Sequence, residues 1–323
     1  MDTVRQLGWG GAFELLRNGI VLGSVYALIA LGYTMVYGIL KLLNFAHGDI
    51  YMVGAFLGYG VLSILGGPLA PTIAMVPLIL LMFLGGMLGS GVLGVVVERF
   101  AYRPLRNAPR IAPLISALGV SFFLANSALL LTHGERFNYA MYQLGGDPNT
   151  GLPGPLNQPA FSVAGRPVTV VQVLVVSTSI ALMIALTLLV SRTRLGKAMR
   201  ATSYDREAAS MMGIDTDRVI ASTFFIGSVL AGAAGVMFGL YIGETYYLMG
   251  FLAGLKAFTA AVVGGIGSIP GAMVGGLLIG VTEAYAAGYV GGQWSDVAVF
   301  GILILFMLLR PSGLFGAKTI QKV

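Results

Sequence analysis

Apolar residues in this chain fall in long unbroken blocks, not in the alternating pattern of strands or the three-to-four spacing of half-buried helices. Blocks of spanning length, about 20 residues, cover positions 18–40, 43–65, 73–97, 111–132, 168–190 and 219–242. A further block, 251–290, is too long for one span. Gly267, Pro270 and Gly271 oppose an unbroken helix through it, because Pro lacks a backbone donor and Gly adds backbone freedom. We expect the break at Ser268–Pro270. Backbone groups freed there cannot face lipid and have to meet protein or a watery cavity. The last block, 297–309, is short but apolar. The pattern predicts an all-α polytopic membrane protein, one domain over 1–323, with about 8–9 membrane helices counting broken or re-entrant segments.

Composition agrees. The chain of 323 residues is 57% hydrophobic and 10% charged, whereas a soluble domain carries about a quarter charged residues. Its 47 glycines lack a Gly-X-Y period and lie mostly inside the apolar blocks, where small residues let helices approach closely. Gly19–Gly23, Gly54–Gly58, Gly85–Gly89, Gly271–Gly275 and Gly276–Gly280 share a four-residue spacing, which argues for a tightly packed bundle. There is no cysteine, so disulfides, thiolate catalysis and cysteine metal sites are excluded. His47 and His133 are too far apart in sequence for a metal pair. Neither a P-loop nor a catalytic triad occurs, so no enzymatic role and no cofactor is expected. Asp2, Arg5, Glu14 and Arg17 precede no small-residue cleavage site, which leaves the first helix as its own targeting signal.

Charge placement orients the bundle. Segment 98–110 carries Arg99, Arg103, Arg106 and Arg110, segment 192–218 carries six Lys or Arg, and the tail carries Arg310, Lys318 and Lys322. These hold 13 of the 19 basic residues, so all three belong in the cytoplasm. The net charge of +6 thus reflects loop topology, not a nucleic-acid partner. Segment 133–168, with only Arg136 and Arg166, lies outside. Three crossings before residue 98 then put the N-terminus outside, and the crossings between Arg218 and Arg310 are even in number. Block 251–290 therefore forms two short elements.

Few polar residues interrupt the blocks. Asn44, His47 and Asp49 open a glycine-rich segment, much as Gly267, Ser268, Pro270 and Gly271 open another, and interrupted segments in corresponding halves mark transport pathways and a weak two-fold repeat. Asn44 and Asp49 also suit a simple helix start, with Asn44 as cap. Glu283 is an intramembrane acid, either functional or near a membrane face and bonded to backbone. Lys256 is expected to snorkel to the interface. In the loop 192–218, the run from Tyr204 to Met212 suits one short helix stopped by Gly213. Its apolar face of Ala208, Met211 and Met212 suggests docking to another protein.

Several stretches carry a family likeness. They are Gly23-Ser24-Val25-Tyr26-Ala27-Leu28, Leu43-Asn44-Phe45-Ala46-His47-Gly48, Tyr102-Arg103-Pro104-Leu105-Arg106, Met212-Gly213-Ile214-Asp215, and the run from Lys256 through Gly264-Gly265-Ile266-Gly267-Ser268-Ile269-Pro270-Gly271. The chain resembles the permease subunits of bacterial ABC importers for branched-chain amino acids. The resemblance implies a second homologous permease, two cytoplasmic ATPase subunits, an extracytoplasmic binding protein, and a multi-pass place in the bacterial inner membrane. Glu207, Ala208, Ala209 and Gly213 look like an ATPase-coupling helix, although no Ile-x-Leu-Pro follows. Urea or short amides are the alternative substrates. An ion-coupled secondary transporter is the alternative machine, for which Asp49 and Glu283 are the candidate acids.

Overall fold

The computed structural model describes residues 2–66, 75–106, 108–109, 111–139, 156–163 and 165–316, with side chains from residue 11 onward. The expectations for Arg110, Lys318, Lys322, positions 73–74 and the stretch 140–155 fall outside the described residues. The helices are α1 (Asp2–Leu40), α2 (His47–Gly66), α3 (Met75–Val97), α4 (Ile111–Thr132), α5 (Val170–Arg192), α6 (Arg194–Tyr204), α7 (Arg206–Met211), α8 (Thr216–Ile242), α9 (Met249–Gly264), α10 (Ile269–Tyr289) and α11 (Ser295–Leu309). Among the described residues, eight are long and apolar enough to cross a membrane, and α9 is a shorter apolar helix. The chain is a multi-pass, all-α membrane protein. Its strands are short: β1 (Phe137–Asn138) pairs antiparallel with β4 (Glu244–Thr245), and β2 (Pro159–Val163) with β3 (Arg166–Thr169).

Burial sorts the helices into a centre and a rim. The apolar stretch of α1 is 89% buried, against 11% for α4 and 6% for α11. The outer two show their apolar sides to the surroundings, as helices bathed in lipid do. The centre closes through glycine. On α10, Gly276 and Gly280 face α1, where an added Cβ would strike backbone at Ala27, Gly23 and Gly19. One turn round the same helix, Gly271 and Gly275 face α9 at Gly264 and Ala260. The two overlapping glycine pairs thus serve two different neighbours. Gly54 on α2 meets Gly232 on α8, and Gly94 on α3 meets Ser228. Without a hydrophobic driving force between helices in lipid, such close backbone contact is what holds them.

The break in block 251–290 lies slightly earlier than the sequence suggests. Helix α9 ends at Gly264 and α10 begins at Ile269, so residues 265–268 form the turn. Gly265 and Gly267 take φ of 105° and 95°, open to glycine at little cost. Pro270 sits in the first turn of α10 and so starts a helix instead of ending one, because its missing N–H would be unpaired there anyway. Ser268 caps the new helix, accepting from Gly271 N at 3.2 Å. With α8 and α11, the α9–α10 hairpin makes four elements between Arg218 and Arg310, three of them, counting the turn that leads into α11, long and apolar enough to cross a membrane. At 16 residues α9 is about 24 Å long, short of a ~30 Å hydrocarbon layer.

The basic segments gather at one end. Arg103 and Arg106 pair with Asp217, and Arg206 lies 3.7 Å from Asp217. The 265–268 turn receives the tail, with Leu314 N and Phe315 N donating to Val263 O and Gly264 O at 2.9 Å each. At the other end, Arg17 donates to Pro167 O and Arg166 pairs with Glu14 at 3.3 Å. The early part of α1 therefore shares its end with the segment expected outside.

Candidate functional site

Three arrangements could carry function. The first is the loop between α5 and α8. In place of one helix over 204–212 there are two, because Asp205 is extended (φ −150°, ψ 114°) and ends α6 while its side chain caps α7, accepting from Ala208 N at 3.0 Å. The other end of α7 closes with Gly213 in the left-handed region (φ 82°) and Ile214 N bonded to Ala209 O at 3.1 Å. Ala209 points inward, 5% exposed. Glu207 and Ala208 face out beside Tyr204, Met211 and Met212, which are 96%, 84% and 83% exposed. A short helix pinned at both ends thus presents a large apolar patch on the basic end of the protein.

This loop is tied to the bundle by charge. Helix α3 runs on into a wider π turn at Glu98–Tyr102 and a 3-10 turn at Arg103–Leu105, which turn Glu98 and Tyr102 inward. Arg106 then bridges the carboxylates of Glu98 and Asp217. The Arg106 and Glu98 side chains are 7% and 2% exposed. Sequence reasoning sees Arg106 as cytoplasmic charge and as part of a family stretch, and pairs it with neither Glu98 nor Asp217. Their partnership depends on the π turn, for which the local sequence carries no plain signal.

The second arrangement is the start of α2. The segment 41–46 climbs back into the bundle, so that His47 packs against Gly32, two turns inside the end of α1. Asn44, His47 and Asp49 are all buried. Asn44 does not cap the helix. Its Oδ1 accepts from the Tyr102 hydroxyl at 3.2 Å, because the π turn brings that phenol over it. His47 meets the Tyr33 ring edge-on at 4.8 Å. Among the described residues, Asn44 Nδ2, His47 Nε2, Thr34 Oγ1 and Tyr51 OH are buried with no hydrogen-bond partner. Asp49 lies in the first turn of α2, where the helix dipole favours a negative charge.

The third arrangement joins α9, α10 and α11. Lys256 does not snorkel; it is 7% exposed, and its Nζ lies 2.7 Å from both Glu283 Oε1 and Asp296 Oδ1. The antiparallel α9–α10 hairpin aims the ammonium at Glu283, and a buried acid partner holds it better than the interface could. Glu283 consequently bonds a side chain, not backbone, and leaves Oε2 buried without a partner among the described residues. Gly267, Ser268, Pro270 and Gly271 stand apart from both clusters, in the capped turn at the basic end. The structure therefore does not gather the sequence candidates into one site. Among the described residues no group of three or more His, Cys, Asp or Glu is placed to hold a metal ion.

Comparison with known proteins bears on this geometry. The family described as the branched-chain amino acid transport system / permease component matches residues 15–308. This chain belongs to that family. It is 44% identical over 311 residues to the high-affinity branched-chain amino acid transport system permease protein BraD of Pseudomonas aeruginosa, covering 96% of this chain and 97% of the relative. It is 42% identical over 317 residues to the permease protein LivH of Escherichia coli K12, with 96% and 97% covered. A probable branched-chain amino acid transport permease of Methanocaldococcus jannaschii is 28% identical over 318 residues, with 95% and 93% covered. No solved structure matches. Family members are transport components, so this permease is a membrane subunit and not an enzyme.

Proposed function

We propose that this permease is the membrane subunit of an ATP-driven ABC importer that carries leucine, isoleucine and valine across a bacterial inner membrane. The observation that carries the reading is α7, a doubly capped helix around which Tyr204, Met211 and Met212 stand bare on the basic end. Exposed methionines and an aromatic on a charged surface are what a partner subunit covers. The partners are two ATPase subunits against Glu207, Ala208, Ala209 and Gly213, a second homologous permease, and an extracytoplasmic amino-acid-binding protein.

ATP binding in those subunits would move α7, and Arg106 would pass the motion to α3 and α8 through Glu98 and Asp217. Solute passes beside the interrupted helices. Asn44 and His47 offer unspent polar groups inside the bundle beside the buried Asp49, Glu283 offers an unpaired oxygen, and Gly267, Ser268, Pro270 and Gly271 line the turn and helix start at the cytoplasmic exit.

The test is uptake into liposomes holding the full complex, with the cognate binding protein outside and ATP inside. Leucine should enter in an ATP-dependent manner. Entry of urea but not leucine sinks the substrate assignment, and leucine uptake by the chain alone under an ion gradient sinks the ABC reading. In the same liposomes Gly213→Pro or Glu207→Lys should lower transport-coupled ATP hydrolysis with the complex still assembled; normal coupling in both removes α7 from the mechanism.

A further inference from the structure

A cleft opens at the basic end between α1, α5, α6 and the 265–268 turn. Its walls are apolar: Met35 and Ile39 from α1, Val190 from α5, Met199 from α6 and Ile269 from α10. Its polar groups are few and placed apart. Thr34 borders it, 2% exposed, with its Oγ1 buried and unpartnered. Arg200 and Ser203 stand on the α6 side, and Gly267 and the first residue of α10 on the other. Arg200 spends one N–H on Val190 O, which fixes the guanidinium at the rim with the rest of its donors in hand.

Size narrows the occupant. A dry cavity of about 150 Å³ takes up benzene, six carbons, or some 25 Å³ per carbon. This cleft measures about 100 Å³, room for a branched chain of about four carbons. The apolar part of such a guest would rest among Met35, Ile39, Val190 and Met199. Its anionic end would lie at the rim between Arg200 and the positive end of the α10 dipole, and Thr34 would take a remaining polar atom. Because α6 opens the coupling loop and the 265–268 turn opens α10, a guest here ties the two together.

We propose that this cleft is a cytoplasmic binding site for an aliphatic α-amino acid, through which accumulated product brakes further transport. The substrate class rests on the function proposed above; the cleft itself does not. In liposomes of the complete importer, rising luminal leucine should slow initial ATP hydrolysis driven by loaded binding protein, while luminal 4-methylpentanol, which lacks the carboxylate and ammonium, should not. Thr34→Val, which removes only the hydroxyl's hydrogen bond, should raise the inhibitory concentration about tenfold. Ser203→Trp, which fills the rim, should abolish inhibition and should work normally with an empty lumen. Wild-type insensitivity to luminal leucine, or unchanged inhibition in both variants, overturns the proposal. Calorimetric titration of leucine into the solubilised complex without binding protein reads the cleft apart from transport. Heat lost in both variants supports the site, and no heat from the wild type removes it. Failure of the importer to carry any branched-chain amino acid would sink the function instead.

Discussion

Lys256→Met tests how far the α9–α10–α11 junction depends on one buried cation. The Lys256 and Glu283 side chains are 9% and 14% exposed and 2.7 Å apart, whereas Asp296 is 45% exposed. Removing one member of a buried pair costs roughly 3–5 kcal/mol, because the survivor keeps its desolvation penalty without its partner. Here Glu283 is left with neither oxygen paired, since Oε2 already has no partner among the described residues. The Asp296 arm, screened by solvent, adds no more than about 1 kcal/mol. At about 2 °C per kcal/mol for a chain of this size, the variant should melt roughly 6–10 °C lower. Asp296→Asn alone should shift the midpoint by about 2 °C or less. Replacing both charges, as in Lys256→Met with Glu283→Met, should restore most of the loss, because an apolar pair of similar volume is often as stable as a buried ion pair. The assay is the midpoint of heat-induced loss of the monodisperse peak of the solubilised protein. A single variant that melts with the wild type, or a double variant worse than the single, would falsify this account.

The same assay reads two further predictions. Gly280→Ala forces a methyl into the Gly23 and Gly19 backbone and should destabilise by roughly 1–3 kcal/mol. Gly119→Ala on α4, where nothing lies within 4 Å, should stabilise by about 0.5–1 kcal/mol, as Ala outranks Gly inside a helix; the same sign for both would refute glycine-mediated packing. Arg106→Gln should cost roughly 3–5 kcal/mol by stranding Glu98. Arg103→Gln, whose pair is 39% exposed on both sides, should cost about 1 kcal/mol or less, and equal losses would show that burial does not set the difference.

The helices were readable wherever an apolar block is bounded by charge or Gly/Pro, and α4 spans the 111–132 block end to end. That block 251–290 forms two elements was readable too, from Gly267, Pro270 and Gly271. What escaped the sequence depends on neighbours far along the chain. Lys256 looks like a snorkelling residue because its acids lie on the next two helices. Asn44 looks like a cap because Tyr102 reaches it only through a π turn. Asp205 divides α6 from α7, although a run free of Gly and Pro reads as one helix. The carbonyls freed by the break could be assigned to protein or water on general grounds, but not to Leu314 and Phe315.

Those two donors have a consequence for how the protein is made. The ribosome finishes α9, the 265–268 turn and α10 long before it reaches Leu314 and Phe315, so the newborn hairpin enters the membrane with Val263 O and Gly264 O unmatched by their eventual donors. Water at the basic end can serve them meanwhile, which suits a turn at that end of the bundle and not at its middle. Only when the 310–315 turn folds back, after α11 has been threaded, does the hairpin acquire its final hydrogen bonds. The tail thus acts as a clasp on the hairpin, one that closes only after α11 has been made.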